Sequence, residues 1–235
     1  MFNFSASVQL RRLSRLICNF RSLTSILVTG MLSSTVLAPS ATYGDESPTL
    51  PSQPGGPRSG AGICVLSPGR LEADGTILSD RPIFLWYTEN PELVEMETIQ
   101  LIDDTGEIVW EKPLSPSDEM AVYDGEPLQP GQTYTWQLIW NVEDNSSRSL
   151  EEQEYEADFL VMSPDDRRMQ IAAELDQLAN GASDAAIATN QAEFLAQQGL
   201  WSDAFGTLQS VETPSPEIAA KLVAWTNAFC GTTSN

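Results

Sequence analysis

Between residues 63 and 162 the apolar positions recur every second residue, the period of strands buried on one face, and turn residues break the runs. The pattern predicts seven strands, at 63–66, 82–88, 97–103, 107–113, 120–123, 132–142 and 155–162. Short strands that follow one another with turns between them favour an antiparallel sandwich over a parallel sheet. After Met162 the period lengthens to that of helices. Ser163 is a suitable N-cap with Pro164 at the first helical position, and Asp165 and Asp166 complement the positive helix end. Ile171, Leu175 and Leu178 then form an apolar stripe that Asn180-Gly181 stops. Ser183 caps a second helix running to Gly199, a third covers 202–211, and Ser215-Pro216-Glu217 opens a fourth that reaches Phe229.

Local motifs sharpen this outline. Asp103-Asp104-Thr105-Gly106 joins two predicted strands as a hairpin turn in which Gly106 takes a positive φ. A calcium loop needs more oxygen ligands than Asp103, Asp104 and Glu107 offer, so a plain turn is expected. Leu128-Gln129-Pro130-Gly131-Gln132-Thr133-Tyr134 enters a strand through a Pro-Gly turn, the pattern of a tyrosine corner built on Leu128, Pro130, Gly131 and Tyr134. Beyond it Tyr134, Trp136, Leu138, Trp140 and Val142 share one face, for which Phe84 and Trp86 are partners across two sheets. A tryptophan left exposed would instead serve as a platform for carbohydrate. In the helical part, Ala188, Ala192, Leu195, Gly199, Trp201, Ala204, Leu208, Val211 and Pro216 follow the spacing of one tetratricopeptide-like hairpin, a single copy expected to dock as a satellite. The predicted class is α+β by segregated domains: an antiparallel immunoglobulin- or fibronectin-like β-sandwich over 63–162, then a four-helix domain over 163–235.

Charge changes the picture at the N-terminus. The chain carries 12 basic and 33 acidic side chains, a net charge of -21, yet residues 1–44 hold four arginines and no acid. Arg11, Arg12, Arg15 and Arg21 precede an apolar run over 23–38 and then small residues, the layout of a secretory signal peptide and too short for a spanning helix. Its removal leaves eight bases against 33 acids, or -25. Residues 45–62 are dense in proline and glycine and are expected to be a disordered linker. Such acidity argues against nucleic acid and anionic membrane as partners. Cys18 leaves with the signal, so an exported chain keeps Cys64 and Cys230, either a disulfide or two buried thiols.

Candidate chemistry is sparse. The chain has no histidine, which removes imidazole-based triads and histidine metal sites. Lys112 and Lys221 are the only lysines and neither follows a glycine-rich phosphate loop. Gly181-Ala182-Ser183-Asp184-Ala185 is a helix stop followed by a helix cap, since no strand precedes it as a nucleophile elbow requires. Three carboxylate groupings remain: Asp165 with Asp166, Glu143 with Asp144, and the run Glu151, Glu152, Glu154 and Glu156. Acid and base work on a glycan would need one of these carboxyls buried beside an ionised partner.

Gly55-Gly56-Pro57-Arg58 ahead of Gly62 and a cysteine, Arg81-Pro82-Ile83-Phe84, Asp104-Thr105-Gly106, and Leu128 through Trp136 together resemble the cyanobacterial domain-of-unknown-function family 928, over roughly residues 55–230. The chain departs from that family's pattern at Ile139-Trp140-Asn141, where relatives carry a cysteine at a strand end, so no disulfide pairing is carried over. The resemblance implies an exported cyanobacterial protein and no particular activity. The expected function is a non-catalytic interaction or structural module of the cell envelope, periplasmic or secreted, without cofactor and with another envelope or periplasmic protein as partner. The alternatives are a ligand- or calcium-binding module using acidic loops around Asp144 and Glu151 to Glu156, and a hydrolase working through carboxylates alone.

Overall fold

The computed structural model describes residues 62–144, 149–180 and 183–231, side chains at 143, 144 and 149 excepted. The predicted signal peptide and all but the last residue of the predicted linker therefore lie outside the described residues. The class is α+β, with strands first and helices after. The strands are β1 (Ile63–Ser67), β2 (Thr76–Ile77), β3 (Ile83–Thr88), β4 (Val94–Ile102), β5 (Ile108–Pro113), β6 (Met120–Val122), β7 (Thr133–Asp144) and β8 (Ser149–Val161). The helices are α1 (Asp166–Leu178), α2 (Asp184–Gln197), α3 (Trp201–Gln209) and α4 (Pro216–Cys230).

The strands form a three-stranded sheet ordered β1-β3-β6 and a five-stranded sheet ordered β2-β8-β7-β4-β5. Alternation along β3 explains how the layers stack. Phe84 and Trp86 join a core with Trp136, Leu138, Phe159 and Ile99 of the five-stranded sheet, whereas Leu85 joins a second core made with the helices. β1 divides in the same way, Ile63 and Val65 to one core and Cys64 and Leu66 to the other. β1 and β3 thus form a middle layer buried on both faces, which is why β1 opens on the unbroken apolar run ICVL, while the edge strand β6 leaves Met120 and Val122 exposed. Ring contacts knit each core. Phe84 meets Trp136 at 5.1 Å between centroids, and Trp201 meets Phe229 at the same distance among the helices.

Several expectations are corrected. β2 lies where no strand was predicted, and it pairs with β8 in parallel within an otherwise antiparallel architecture. β4 begins at Val94, not 97, because a bulge between Met96 and Thr98 shifts the alternation: Val94 and Met96 point inward, then Ile99 and Leu101. β8 starts at Ser149, six residues before its predicted start, since its glutamate-rich half pairs residue by residue with β7. The N-cap of α1 is Asp165 and not Ser163. The Asp165 carboxylate accepts from the Arg168 N–H at 3.0 Å, a stronger charge-assisted cap than a hydroxyl, and the helix starts at Asp166. Ser183 and Ser215 cap α2 and α4 through their hydroxyls. The third helix starts at Trp201, and no side chain at Leu200 caps it.

Candidate functional site

That missing cap is filled from far along the chain. Gly69 turns with φ +84°, and a Cβ there would stand 2.2 Å from the Asp158 carbonyl oxygen, so only glycine fits. The turn brings Glu72 beneath α3. Glu72 accepts the Gly69 N–H at 3.1 Å and the Ser202 N–H at 2.5 Å, one on each oxygen. Asp203, in the first turn of α3, reaches the other way and accepts the Leu78 and Ser79 N–H groups at 2.7 and 2.8 Å. Four carboxyl oxygens therefore hold four backbone N–H groups, and the positive end of α3 favours both charges.

Both carboxyls are buried, Glu72 at 5% and Asp203 at 9% exposure. Burial pushes Glu72 from 4.5 up to about 7; the Ser202 hydroxyl and backbone donors oppose the rise, and the nearby Asp203 charge adds to it. The Ser202 hydroxyl is itself buried, with no hydrogen bond of ordinary geometry. Burial also lifts Asp203 from 3.8 to about 6, against the Leu78 and Ser79 donors and the positive charge of Arg168. Beside Asp203, between the loop after β2, the start of β3 and helices α1 to α3, lies a cavity of about 380 Å³.

A second region is the outer face of the five-stranded sheet. Register places Glu152, Glu154, Glu156 and Asp158 of β8 on this face beside Asn141, Ile139, Gln137 and Thr135 of β7. Gln137 hydrogen-bonds Glu156, Thr135 donates to Asp158 at 2.6 Å, Asn141 to Glu97 at 2.6 Å and Gln100 to Glu111 at 2.8 Å. The neutral side chains thus orient the carboxylates. Among the described residues of these four strands, the one basic side chain is Lys112, paired with the inward-facing Ile99.

The sequence-predicted sites fall as follows. Cys64 and Cys230 are joined as a disulfide, with Cα atoms 5.8 Å apart, linking β1 to the end of α4. Tyr134 Oη accepts the Gln129 N–H at 3.0 Å across the turn containing Pro130 and Gly131, where Gly131 has φ +83°, and Leu128 is buried beneath. In the turn at 103–106, Asp103 Oδ1 accepts from the Thr105 hydroxyl and from the Glu107 and Thr105 N–H groups, and these bonds, the hydroxyl's foremost, hold its carboxyl below the usual range. The expected acidic loop at 151–156 is strand. Alternate positions on it recur roughly every 7 Å along the backbone. Among the described residues no group of three or more acidic or cysteine side chains could hold a metal ion. Asp165 and Asp166 open α1, and the side chains of Glu143 and Asp144 lie outside the described residues. Five of the six tryptophans are buried; Trp110, half-buried, stacks on Phe84 and donates to Asp124 at 2.7 Å.

The carboxyl pair that the fold brings together, Glu72 and Asp203, was not among the candidates. Its one local signal is an acid inside the apolar window Trp201-Ser202-Asp203-Ala204-Phe205.

The model of one family, the Domain of Unknown Function (DUF928), matches residues 51–229, from before β1 to the last turn of α4. The chain belongs to this family. The DUF928 match covers both sheets and all four helices, so the clamp of Glu72 and Asp203, the acidic sheet face and the disulfide's first cysteine lie within it. No curated protein matches the chain.

Proposed function

We propose that this DUF928 chain is a non-catalytic, exported interaction module of the cyanobacterial cell envelope, and that it docks a partner protein through the outer face of its five-stranded sheet. The observation that carries the proposal is that face: carboxylates at successive register positions, oriented by neighbouring amides and hydroxyls, with no basic side chain among them. Side chains at alternate strand positions recur every 6–7 Å, so the partner is a protein presenting lysine or arginine at a matching interval. Phosphate backbones and anionic lipid are repelled by the same face.

The non-catalytic part rests on the buried carboxyls. Each of the four oxygens of Glu72 and Asp203 is engaged by a backbone N–H, as in a structural clamp between α3 and the β1–β3 segment. In this proposal the facing sheets form an immunoglobulin-like sandwich, the α2–α3 hairpin a single tetratricopeptide-like unit docked on it, residues 1–44 a cleaved signal and 45–62 a linker. The mature chain is then periplasmic or secreted and works without cofactor. No helix among the described residues is long and apolar enough to cross a membrane.

The test expresses the full chain with its N-terminus intact and compares it with a Glu152→Lys, Glu154→Lys, Glu156→Lys variant. The expected result is a mature mass near that of residues 45–235 and an envelope protein captured at low salt, released at high salt and lost from the variant. Retention of the same partner by the variant, or an unprocessed N-terminus, overturns the proposal.

A further inference from the structure

The cavity beside Asp203 is separate from the acidic sheet face, and its lining has a definite chemistry. Ile83, Leu175 and Leu195 give it apolar walls. Three of its hydroxyls donate within the protein, Ser67 to the Ile83 carbonyl at 3.1 Å, Thr207 to the Asp203 carbonyl at 2.8 Å and Ser210 to the Thr207 carbonyl at 2.8 Å, while the buried Ser202 hydroxyl has no partner of ordinary geometry among the described residues. What those three oxygens keep is acceptor capacity. Asp203 keeps it too, because each of its oxygens takes one backbone N–H and retains a second acceptor site.

Asp203 is also a buried carboxylate that forms no ion pair among the described residues. Arg168 acts on it from a distance, since its own Nη1 donates to the Met162 carbonyl at 2.9 Å. Arg81, another lining residue, donates its Nη1 to the Gly125 carbonyl at 2.6 Å. Buried charges in proteins are ordinarily matched by an opposite charge. Here the space for one is open. Gly206 enlarges it: this residue lies in the interior of α3, where glycine is the least favourable ordinary residue after proline. A Cβ there would meet only the Ile83 side chain, Cδ1 at 3.8 Å and Cγ1 at 3.9 Å, both ordinary contacts, so packing does not require the glycine.

We propose that this cavity binds a small organic amine, its protonated ammonium on the Asp203 carboxylate and its apolar body between Ile83, Leu175 and Leu195. The volume, about 380 Å³, lies at the lower end of small-molecule sites and suits a body of several carbons. The acidic protein around it concentrates cations at its surface. Binding forms no covalent bond, and the ammonium hydrogens meet the free acceptor sites of Asp203 and of the Ser67, Thr207 and Ser210 hydroxyls.

The experiment is calorimetric titration of the intact exported chain at pH 7.5 with n-hexylammonium chloride, n-hexanol and sodium hexanoate. The expected result is saturable one-to-one binding of hexylammonium, at least tenfold tighter than hexanol, with no hexanoate binding. Asp203→Asn should weaken hexylammonium at least tenfold and erase its preference over hexanol. Gly206→Leu projects an apolar side chain into the cavity beside Ile83; it should abolish binding of both while circular dichroism and the melting temperature report a folded protein. Equal affinity for hexanol and hexylammonium, preference for hexanoate, no binding of hexylammonium, or its undiminished binding by the folded Gly206→Leu protein would each overturn the proposal.

Discussion

Tyr134 Oη ties the entrance of β7 to the turn before it, and its phenol is buried where water cannot replace the bond. Tyr134→Phe leaves the Gln129 N–H without its partner and should cost about 1–2 kcal/mol of unfolding free energy, read from urea titration. An unchanged midpoint would mean that the turn relaxes to find water. This contact was legible in the sequence because donor and acceptor are five residues apart. Glu72 and Asp203 were not, since each finds its partners only after the helices dock on the sheets. Their burial has a consequence for pH. Both keep their protons to higher pH in the folded chain than in the unfolded one, Glu72 to about 7 against 4.5 and Asp203 to about 6 against 3.8. Between about pH 4 and pH 7 the native state therefore holds more protons, and stability falls as pH rises. For Glu72 the full displacement, at 1.36 kcal/mol per pH unit, is worth roughly 3 kcal/mol. Asp103 acts oppositely, its contribution lost only as pH falls through its lowered range, below the window compared. The melting temperature should thus be higher at pH 5 than at pH 8 by more than about 5 °C. Glu72→Gln should reduce that difference, and a variant that keeps all of it would exclude Glu72 as the source.

At the scale of elements, periodicity found strands wherever the inward face is apolar and failed where register or composition masks it. β4 escaped at its start because one bulge reverses the alternation between Met96 and Ile99. The first half of β8 escaped because its outward positions are glutamates and its inward ones, such as Gln153, lie beyond the core. β2 is two residues long and has no pattern to read; its neighbour β8 defines it. Turns carry the matching prediction. Gly69 and Gly106 share a positive φ, yet a side chain at 106 meets nothing within 4 Å whereas one at 69 strikes the Asp158 backbone. Gly106→Ala should therefore cost only the left-handed strain, about 1–2 kcal/mol. Gly69→Ala should cost several times more, because it also displaces Glu72 from the start of α3. Chemical denaturation of both variants gives the comparison; equal losses would show that the loop at 69 yields freely.

For the molecule as a whole, the middle sheet is the organising layer, and the helices cover the face that the five-stranded sheet leaves open. No pattern along the chain announced this, since doubly buried strands such as β1 look like any short apolar run. Besides apolar contact, the helices are held to the strand layers by the Glu72 and Asp203 bonds at α3 and by the disulfide at the end of α4. The disulfide spans 166 residues of sequence. In the chain-entropy account, a loop of that length restricts the unfolded chain by about 5 kcal/mol. Its reduction leaves both thiols buried in the core between sheet and helices, so native packing changes little and the effect falls on the unfolded state. Urea unfolding with and without dithiothreitol, alongside the Cys64→Ser, Cys230→Ser double variant, separates the two. The midpoint should drop on reduction while the dependence on denaturant steepens, because the freed unfolded chain exposes more surface. The double variant should lie lower still, since it places two hydroxyls in an apolar core. If full reduction left the midpoint unmoved, the Glu72 and Asp203 clamp and the aromatic cluster of Trp201, Phe205, Trp225 and Phe229 would have to restrain the unfolded chain on their own, and contacts that exist only in the folded state cannot do so.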